Sequence, residues 1–454
     1  MTSNGGTIRF ERSGLRSGFG RAFVLDLLEQ AFSSIDPARR IFECLLREGT
    51  TLRVGTQSYQ RGEGRVGAIA IGKAAVPMAA AVSDLLGPLL REGIAVTRYG
   101  YAGRVAGFRV LEAGHPLPDE NGHNAAAAVS RWADQLGKKD LALCLVSGGG
   151  SALLAAPPDG VSIDDLASAT RLLLGTGATI DEVNTVRRHL STLQGGRLAR
   201  RLRPATVVTL VLSDVIGDRL ESIASGPTVP DPTTFAEAQR VFQRHQLWDR
   251  IPASVRRHIE GGMRGEIPET PKPGDPVFRT TEVRIIASNE TFVEAVCRAG
   301  RKAGCRILRS PHPTVGEARI AGCELGRWAK SVAGSRGGRT LIVSGGETTV
   351  TVRGNGRGGR NQELALAGAV EIEGARTVCI AAFATDGTDG TTDAAGAVVD
   401  GETVDRAGRL GLSPARALED NDSHSLLAAT GDLLSTGPTR TNVADVYLAY
   451  VDGR

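Results

Sequence analysis

Three consecutive glycines lie between two serines in the segment Ser147-Gly148-Gly149-Gly150-Ser151, which we call the 147–151 loop. The apolar residues 141–146 precede the loop and predict a buried strand. Glycines leave successive backbone N–H groups uncovered by a Cβ, and a loop of this kind can bind phosphate oxygens. An ordinary turn with positive φ would also use glycine, but it rarely needs three of them between hydroxyl groups. The loop is therefore predicted to bind the phosphates of a nucleotide.

The same pattern of strand and glycines occurs a second time in the chain. Residues 145–149 read LVSGG and residues 342–346 read IVSGG, with Glu347 directly after them. We expect two strand-end loops, one in each domain, that face one cleft. On this expectation Gly345, Gly346 and Glu347 also bind the nucleotide.

Lys73 ends a segment that partly resembles a Walker A loop, Gly67-x-x-x-x-Gly72-Lys73. Ala74 stands where a serine or threonine would bind magnesium, and residues 68–71 belong to a predicted strand, so the segment is not a P-loop. Lys73 lies just past that strand, at the start of a predicted helix. A cation is unfavourable at a helix N-terminus unless an anion is bound there. Lys73 is therefore either an anion-binding residue or a solvated lysine.

Aspartates follow predicted strands in both halves of the chain. Asp214 comes directly after the predicted strand 205–212, and Asp386 opens the segment DGTDG after another strand. Phosphoryl transfer needs carboxylates that hold Mg²⁺ and that orient or deprotonate the attacking hydroxyl group. We predict these roles for Asp214 and Asp386, and the spacing does not decide which is the base and which the metal ligand. Asp218 and Asp389 are as readily turn formers or helix caps.

A dinucleotide-binding pattern, Gly354-x-Gly356-x-x-Gly359, indicates a different class of enzyme. It lies between a predicted strand and a predicted helix, as it does in NAD(P)H-dependent enzymes. Arg357 and Arg360 crowd this loop, and guanidinium groups suit carboxylates or phosphates better than a nicotinamide ring. A dehydrogenase therefore remains the alternative to a phosphotransferase.

The composition disfavours several other classes of protein. Aromatic residues make up only 4% of the chain and the net charge of +4 is not concentrated in a basic run, which argues against a nucleic-acid partner. No apolar run reaches the length of a transmembrane helix, so no membrane association is expected. The six cysteines show no C-x-x-C spacing, as in a reduced cytoplasmic protein. No histidine pair supports a zinc site, although His115 lies in a stiff proline-rich loop that could line a cleft.

Short apolar runs that alternate with helical stretches predict an α/β protein. We expect a flexible tail (1–20), an N-terminal doubly wound, Rossmann-like domain with a mostly parallel sheet (21–265), a proline-rich linker (266–280) and a smaller C-terminal α/β domain with a mixed sheet (281–454). The predicted strands are 66–71, 93–97, 109–112, 141–146, 205–212, 283–287, 306–308, 340–343, 348–353, 377–383 and 446–451. The predicted helices are 23–46 with a break near Asp36-Pro37, 74–90, 121–136, 163–174, 181–202, 289–303, 315–332 and 361–370.

Eight segments, in order along nearly the whole chain, resemble the glycerate 2-kinase family, whose C-terminal domain is named MOFRL and whose members were once often labelled hydroxypyruvate reductase. They are IAIGKAA (69–75), EAGHPLPDENG (112–122), LVSGGGSALL (145–154), NTVRRHLS (184–191), LSDVIGDRLESIASGPTVPDPTT (212–234), GEIPETPKPGDPVF (265–278), SGGETTVTVRGNGRGGRNQELAL (344–366) and TDGTDGTTDAAGAVVDG (385–401).

The resemblance implies a kinase that transfers the γ-phosphoryl group of ATP to O2 of D-glycerate and yields 2-phosphoglycerate. From the acids and the cysteines we expect Mg²⁺ as the cofactor and a cytoplasmic location. It implies an active site in the cleft between the two domains, with Lys73 neutralising charge on the phosphoryl group and Arg360 binding carboxylate or phosphate. An NAD(P)H-dependent hydroxypyruvate reductase is the alternative, and the sequence leaves open whether the chain forms a homo-oligomer.

The chain departs from the family pattern at four positions. Arg440 stands where glycine is usual, Ala444 where a second asparagine is usual and Thr391 where proline is usual. Arg219 replaces what is more often an acid or a proline. None of these changes removes a proposed catalytic group.

Overall fold

The computed structural model describes residues 8–60, 64–334 and 337–453. Its strands are β1 (Leu45–Glu48), β2 (Thr51–Val54), β3 (Gln57–Gln60), β4 (Val66–Ile71), β5 (Leu90–Arg98), β6 (Phe108–Ala113), β7 (Leu141–Ser147), β8 (Thr206–Leu212), β9 (Thr281–Ala287), β10 (Arg306–Arg309), β11 (Thr314–Glu317), β12 (Arg339–Thr349), β13 (Val378–Ala384), β14 (Gly396–Asp400), β15 (Leu433–Leu434) and β16 (Asp445–Asp452).

Its α-helices are α1 (Arg21–Phe32), α2 (Pro37–Cys44), α3 (Ala75–Leu86), α4 (Glu120–Ala133), α5 (Gly150–Leu153), α6 (Ile163–Gly175), α7 (Ile180–His189), α8 (Arg197–Leu202), α9 (Phe235–Arg244), α10 (Ala253–Met263), α11 (Asn289–Lys302), α12 (Ala318–Ala333), α13 (Arg360–Glu371), α14 (Thr403–Arg409), α15 (Pro414–Glu419) and α16 (Ser423–Thr430). None of the helices in the described part of the chain is long and apolar enough to cross a membrane.

The chain divides into two compact units. The central unit comprises Pro37–Ile286, and the terminal unit comprises the described residues up to Asp36 together with those from Ala287 onward. The predicted linker, 266–280, thus lies within the central unit. Its Glu269 carboxylate accepts a hydrogen bond from the Phe235 N–H (2.9 Å), and its Val277 is fully buried.

Part of the predicted tail packs onto the terminal unit. Residues 1–7 lie outside the described residues. Phe10 is buried, and its ring centroid lies 5.6 Å from that of Phe383 on β13. The Glu11 N–H donates a backbone hydrogen bond to the Ser435 carbonyl (2.8 Å).

The central unit contains the predicted doubly wound sheet. Its six strands run in the order β6-β5-β4-β7-β8-β9, and the pairs within β6-β5-β4-β7-β8 are all parallel. Every residue of β4 and β7 is buried, as expected for strands with helices on both faces. The strand order reverses between β4 and β7, and ligands of such sheets bind at the carboxyl ends of the strands at this reversal. The fold class predicted for this part of the chain is confirmed.

The terminal unit contains the predicted mixed sheet. Its strands run in the order β10-β12-β16-β13-β14-β15, with β11 paired to β12. β10 and β11 are parallel to β12, whereas β16 is antiparallel to both β12 and β13. α1 packs against α11 of this unit, so the first helix of the chain belongs to the unit that also holds the last strand.

Several predicted elements differ from the observed ones. The helix expected over 181–202 is interrupted between α7 and α8, because Ser191 accepts the Leu193 and Gln194 N–H groups and two glycines follow with φ of 58° and 79°. The helix expected from 315 begins at Ala318, after β11. The strand at 283–287, expected in the C-terminal domain, is the edge strand β9 of the central sheet. The antiparallel meander β1-β2-β3 and the helices α9, α10, α14, α15 and α16 were not predicted.

Two of the departures from the family pattern have a common backbone cause. Arg440 and Ala444 have φ of 58° and 65°, in the left-handed region that glycine and asparagine adopt most readily. The residues usual in the family therefore suit this backbone better than those present here.

A buried ionic cluster ties α1 to the rest of the terminal unit. Arg21 pairs with Asp400 (Nε–Oδ2 2.6 Å) and Asp432 (Nη2–Oδ1 2.6 Å), and Arg406 binds the same two carboxylates (2.9 and 3.0 Å). All four side chains are at most 4% exposed. Although burial opposes it, the arginines hold the pKa of Asp400 below its ordinary value.

We predict that Arg21→Met lowers the free energy of unfolding by about 3–5 kcal/mol, because removing one partner leaves a buried carboxylate uncompensated. Urea denaturation followed by circular dichroism measures this change. Arg12→Met is the matched control, since Arg12 pairs with Asp26 and Glu29 on the exposed surface of the same segment and should cost less than about 1 kcal/mol. Equal losses in the two variants would contradict a special role for the buried cluster.

Candidate functional site

The reversal point of the central sheet brings the first group of predicted residues together. β4 ends directly before Gly72-Lys73, and the neighbouring β7 ends in the 147–151 loop. The Ser147 hydroxyl donates to the Ile71 carbonyl (3.1 Å) and accepts the Ala74 N–H (3.1 Å). The Lys73 N–H donates to the Gly148 carbonyl (2.9 Å). These three hydrogen bonds hold Lys73 and the 147–151 loop side by side.

At each glycine of the 147–151 loop, a neighbouring group lies where a Cβ atom would stand. A Cβ on Gly148 would overlap the Asp214 carboxylate, so Asp214 lies directly against the loop. Gly149 has φ 86°, and a Cβ there would lie 3.2 Å from the His115 ring and 3.6 Å from Cγ of Lys73. A Cβ on Gly150 would come within 2.7 Å of Cβ of Ala224. The loop is thus surrounded by a lysine, a histidine and an aspartate.

The N-terminal end of α5 begins within this loop, at Gly150. The first N–H groups of any helix have no acceptor inside the helix. Gly149 is in the left-handed region, so these groups follow a sharp turn, and no side-chain hydrogen bond caps them. Such an arrangement suits an anion with several oxygens, which agrees with the phosphate prediction.

A chain of hydrogen bonds supports the far side of the loop. The Ser151 and Ser225 hydroxyl oxygens are 2.8 Å apart, Ser225 donates to Oδ1 of Asn184 (3.0 Å), and Asn184 donates to the Ser222 carbonyl (3.2 Å). Ala224 and Ser225 have φ of 50° and 56° without being glycine. Left-handed backbone costs a non-glycine residue about 1–2 kcal/mol, and such strain clusters at functional sites. Sequence analysis did not single out Asn184 or Ser225.

In the terminal unit, Arg360 begins α13 and is bound by two carboxylates. Its Nε and Nη2 donate to Asp445 (2.5 and 3.0 Å), and its Nη1 donates to Glu347 (2.5 Å). Three of its five N–H donors are therefore engaged within the described residues, and the side chain is 32% exposed. Burial raises the pKa of the fully buried Asp445 to about 6, although Arg360 opposes this change. Arg360 retains donors for a further anion.

The second glycine pair does not form a strand-end loop. Gly345 and Gly346 lie within the continuous strand β12, opposite Val446 and Asp445 of β16. The strands predicted at 340–343 and 348–353 are accordingly one strand as far as Thr349, and the prediction of a turn between them is wrong. A Cβ on Gly345 would overlap the Asn289 side chain, and one on Gly346 would overlap the Thr314 backbone. Close approach of neighbouring segments, rather than a turn, explains these glycines.

The glycine pattern Gly354-x-Gly356-x-x-Gly359 also serves close packing. Cβ atoms on Gly354 and Gly356 would overlap residues 420–422, and one on Gly359 would overlap Asp389. The buried Asp389 carboxylate accepts the backbone N–H groups of Asn361 (3.1 Å) and Gln362 (2.9 Å) at the start of α13. A dinucleotide pyrophosphate binds at this position in a Rossmann fold. Here a carboxylate of the protein fills it, which argues against a nicotinamide site.

The two predicted metal-binding aspartates have different surroundings. Asp386 accepts hydrogen bonds from the backbone N–H (3.1 Å) and the hydroxyl group (3.2 Å) of Thr388, as in an Asx turn. Asp214 lies against the 147–151 loop. Among the described residues no three His, Cys, Asp or Glu side chains form a metal-binding group. Mg²⁺ commonly uses one or two carboxylates with phosphate oxygens and water, and the Asp214 carboxylate beside the 147–151 loop would fit that donor set if the loop binds phosphate.

Comparison with known proteins places this geometry in a family. The description "Domain of unknown function (DUF4147)" matches residues 23–260, and "MOFRL family" matches residues 340–445. A glycerate 2-kinase from Pyrococcus horikoshii is 40% identical over 96% of this chain and 98% of its own length. The crystal structure of a glycerate kinase from Thermotoga maritima, 38% identical, superposes with a TM-score of 0.80 over 94% of this chain and 98% of that one. An Agrobacterium vitis relative, 40% identical over 90% of this chain and 92% of its own length, carries hydroxypyruvate reductase as a provisional name.

We predict that Gly148→Ala disables the site without unfolding the chain, because the added Cβ must displace either Asp214 or the 147–151 loop. A displacement of about 1 Å in a catalytic group can lower activity about 100-fold. The measurement is the enzymatic rate of the purified variant, with circular dichroism as the check on folding. Gly175→Ala is the control, because no atom lies within 4 Å of a Cβ there and its φ is not positive. An unimpaired Gly148→Ala variant would show that the contact with Asp214 is dispensable.

Proposed function

Because this chain belongs to the glycerate kinase family, we propose that it transfers the γ-phosphoryl group of ATP to O2 of D-glycerate, giving ADP and 2-phosphoglycerate. The observation that carries the proposal is the meeting of Lys73, Asp214 and the 147–151 loop at the reversal point of the doubly wound sheet. A phosphate-binding loop, a cation and a carboxylate are the groups that phosphoryl transfer requires.

The backbone N–H groups of the 147–151 loop would bind the phosphates of ATP. Lys73 is held beside the loop by its own backbone N–H, and its ammonium group would neutralise negative charge on the transferring phosphoryl group. This charge is spread over three equatorial oxygens in the transition state, so a fixed cation lowers the barrier. When bound, Mg²⁺ would supply further neutralisation of the phosphate oxygens, with Asp214 as the carboxylate that holds it.

The terminal unit would contribute Arg360 and Asp386. Asp445 and Glu347 fix the guanidinium group of Arg360 and leave two of its N–H donors for a carboxylate or a phosphate of the substrates. Asp386 is the second candidate for metal binding or for taking the proton from O2 of glycerate. Gly345, Gly346 and Glu347 stay in the proposal as neighbours of Arg360 and Asp445 rather than as a second phosphate loop.

A hydroxypyruvate reductase is the competing function, and it is the provisional name of the Agrobacterium vitis relative. It would need a dinucleotide at the Gly354–Gly359 pattern, where Asp389 already occupies the helix N-terminus. We therefore favour the kinase. We also propose a cytoplasmic location, which is supported by the six free cysteines.

The test is a coupled assay with purified protein, ATP, Mg²⁺ and D-glycerate, to which enolase is added. Enolase converts 2-phosphoglycerate but not 3-phosphoglycerate, so phosphoenolpyruvate is the expected product. Release of ADP without phosphoenolpyruvate would show that another hydroxyl group or another substrate is phosphorylated. Oxidation of NADH by hydroxypyruvate, with no ADP formed from glycerate, would reject the kinase in favour of the reductase.

We predict that Lys73→Met and Arg360→Lys each lower kcat about 100-fold or more in this assay, because each removes a donor that stabilises the transition state. Lysine at position 360 keeps the charge but loses the planar fork that Asp445 and Glu347 hold. Lys138→Met and Arg376→Lys are the matched controls on the exposed surface and should retain full activity. If Lys73→Met changed only KM, Lys73 would bind substrate without acting on the transition state.

A further inference from the structure

His115 extends from a distant strand of the central sheet to the 147–151 loop, and no catalytic role has been assigned to it above. The residue follows β6, which ends at Ala113 and is separated from β7 by β5 and β4. A Cβ on Gly149 would lie 3.2 and 3.3 Å from Cδ2 and Nε2 of the His115 ring, and 3.6 Å from Cγ of Lys73. The imidazole and the lysine side chain therefore both lie beside the same face of Gly149.

Gly149 is also the glycine of the loop that can be reached from outside. Gly148 and Gly150 are buried, whereas Gly149 is partly exposed. Lys73 is likewise partly exposed, and His115 is exposed. A ligand that approaches the glycines of the loop thus contacts Gly149, with Lys73 and His115 beside it.

Hydrogen bonds to the carboxylate of Asp119 fix the segment that carries His115. Asp119 accepts the backbone N–H of Gly122 (2.9 Å) as the N-cap of α4, and it also accepts the N–H of Gly114. The Tyr99 hydroxyl group donates to the same carboxylate. Although burial opposes it, the hydrogen bonds from Tyr99 and from these N–H groups hold the pKa of Asp119 below its ordinary value. The residue directly before His115 is therefore tied to the start of α4 by an ionised carboxylate.

Close packing and two prolines further restrict this segment. A Cβ on Gly114 would lie 2.9 Å from the Asp119 carboxylate. Pro116 and Pro118 stand on the other side of His115, and each fixes its own φ at about −65°. The backbone therefore holds His115 beside the 147–151 loop before any ligand binds.

An imidazole in this position can supply a hydrogen-bond donor to a phosphate. Neutral imidazole carries one ring N–H and imidazolium carries two, and Nε2 is the ring nitrogen nearer to Gly149. Ionised phosphate oxygens only accept hydrogen bonds, so an Nε2–H, the backbone N–H groups of the loop and the Lys73 ammonium group suit one phosphoryl group together. During transfer the charge is spread over three equatorial oxygens, and a donor that is already in place lowers the barrier.

We propose that His115 is a further catalytic residue, whose Nε2–H donates a hydrogen bond to an oxygen of the γ-phosphoryl group of ATP, and that Asp119 is its positioning residue. The proposal rests on the proposed function, in which the 147–151 loop binds the phosphates and Lys73 neutralises the transferring group. His115 is assigned to that group because it lies beside the same glycine as Lys73. The bond from phosphorus to the ADP oxygen breaks, the bond to O2 of glycerate forms, and the O2 proton goes to a carboxylate of the site. The imidazole neither gains nor loses a proton.

The first test compares His115→Ala with His115→Gln in the coupled assay. We expect His115→Ala to lower kcat about 100-fold, as for loss of one donor to transition-state charge, with KM for D-glycerate within about threefold. His115→Gln should retain kcat to within about tenfold, because its amide N–H can replace Nε2–H but cannot act as a base. Full activity of His115→Ala would overturn the proposal. Equal losses in the two variants would also overturn it, because they would indicate a general base rather than a donor.

Two further variants keep this comparison interpretable. Arg131→Ala, at an exposed position on α4, is the control and should leave both constants unchanged. If His115→Ala does not fold, as judged by circular dichroism, His115→Phe takes its place, because a phenyl ring fills similar space without a donor.

The second test asks whether Asp119 acts through His115. Asparagine is as good an N-cap as aspartate, so Asp119→Asn should fold normally, but its amide cannot accept all the hydrogen bonds of the carboxylate. We expect Asp119→Asn to lower kcat roughly fivefold in the wild-type background and less than about twofold in His115→Ala, because coupled residues are not additive. Equal losses in the two backgrounds would overturn the positioning role of Asp119.

Calorimetric titration separates this proposal from the proposed function. The probes are ADP and the non-hydrolysable ATP analogue AMP-PNP, each with Mg²⁺ and the full chain. We expect His115→Ala to weaken binding of AMP-PNP roughly fivefold, as for one hydrogen bond, and binding of ADP by less than about twofold. That difference supports His115 even if D-glycerate is not phosphorylated. Equal weakening for both nucleotides, or none, rejects the contact with the γ-phosphoryl group, while kinase activity of the wild type leaves the proposed function in place.

Discussion

The parallel pairing of β4 with β7 is the constraint on which the candidate site depends. These two strands carry the reversal of strand order, so the segments that leave their carboxyl ends turn to opposite sides and open a crevice between them. Ser147, the last residue of β7, bridges the two strand ends because its hydroxyl group bonds to Ile71 at the end of β4 and to Ala74 just beyond it. A residue without that hydroxyl would release the Ala74 N–H and the Ile71 carbonyl in a fully buried place. The pairing of β4 with β7 therefore determines where Lys73 and the glycines of the 147–151 loop lie. Those positions in turn determine which groups are available to bind an anion.

Charge compensation distinguishes the two units. In the terminal unit, Arg21, Arg406 and Arg360 each bind carboxylates of the protein, and the side chain of Asp389 caps the start of α13. The protein thus supplies the anions that an α/β domain often takes from a ligand. In the central unit, the backbone N–H groups of the 147–151 loop are left for an external anion, and Arg187 pairs with no carboxylate among the described residues. The contrast favours external anions as ligands of the central unit.

Continuous apolar runs bounded by glycine predicted the central sheet well. The strand predicted at 66–71 coincides with β4, and that at 141–146 differs from β7 by one residue. The same reasoning failed at Gly345-Gly346, because a glycine that makes a turn and a glycine that admits a neighbouring segment look alike in a sequence. Only the pairing of β12 with β16 and β11 decides between them, and it joins residues about a hundred positions apart for β16 and about thirty for β11. The contact between Asp389 and Gly359 also could not be predicted, because it too depends on tertiary packing. A helix cap was nevertheless one of the roles that we expected for Asp389.

The sequence does not show which of two adjacent arginines, Arg187 and Arg188, pairs with a carboxylate. They are adjacent, chemically identical and set in one segment, NTVRRHLS, yet one is bound to Asp231 and the other lines a cavity. Successive residues of a helix point about 100° apart, so neighbours on α7 face different parts of the unit. Asp231 stands more than forty residues away in the chain, and nothing in the local sequence shows which arginine it will reach. A cation becomes a candidate ligand-binding group only when its lack of a partner is known, and that is a property of the folded unit.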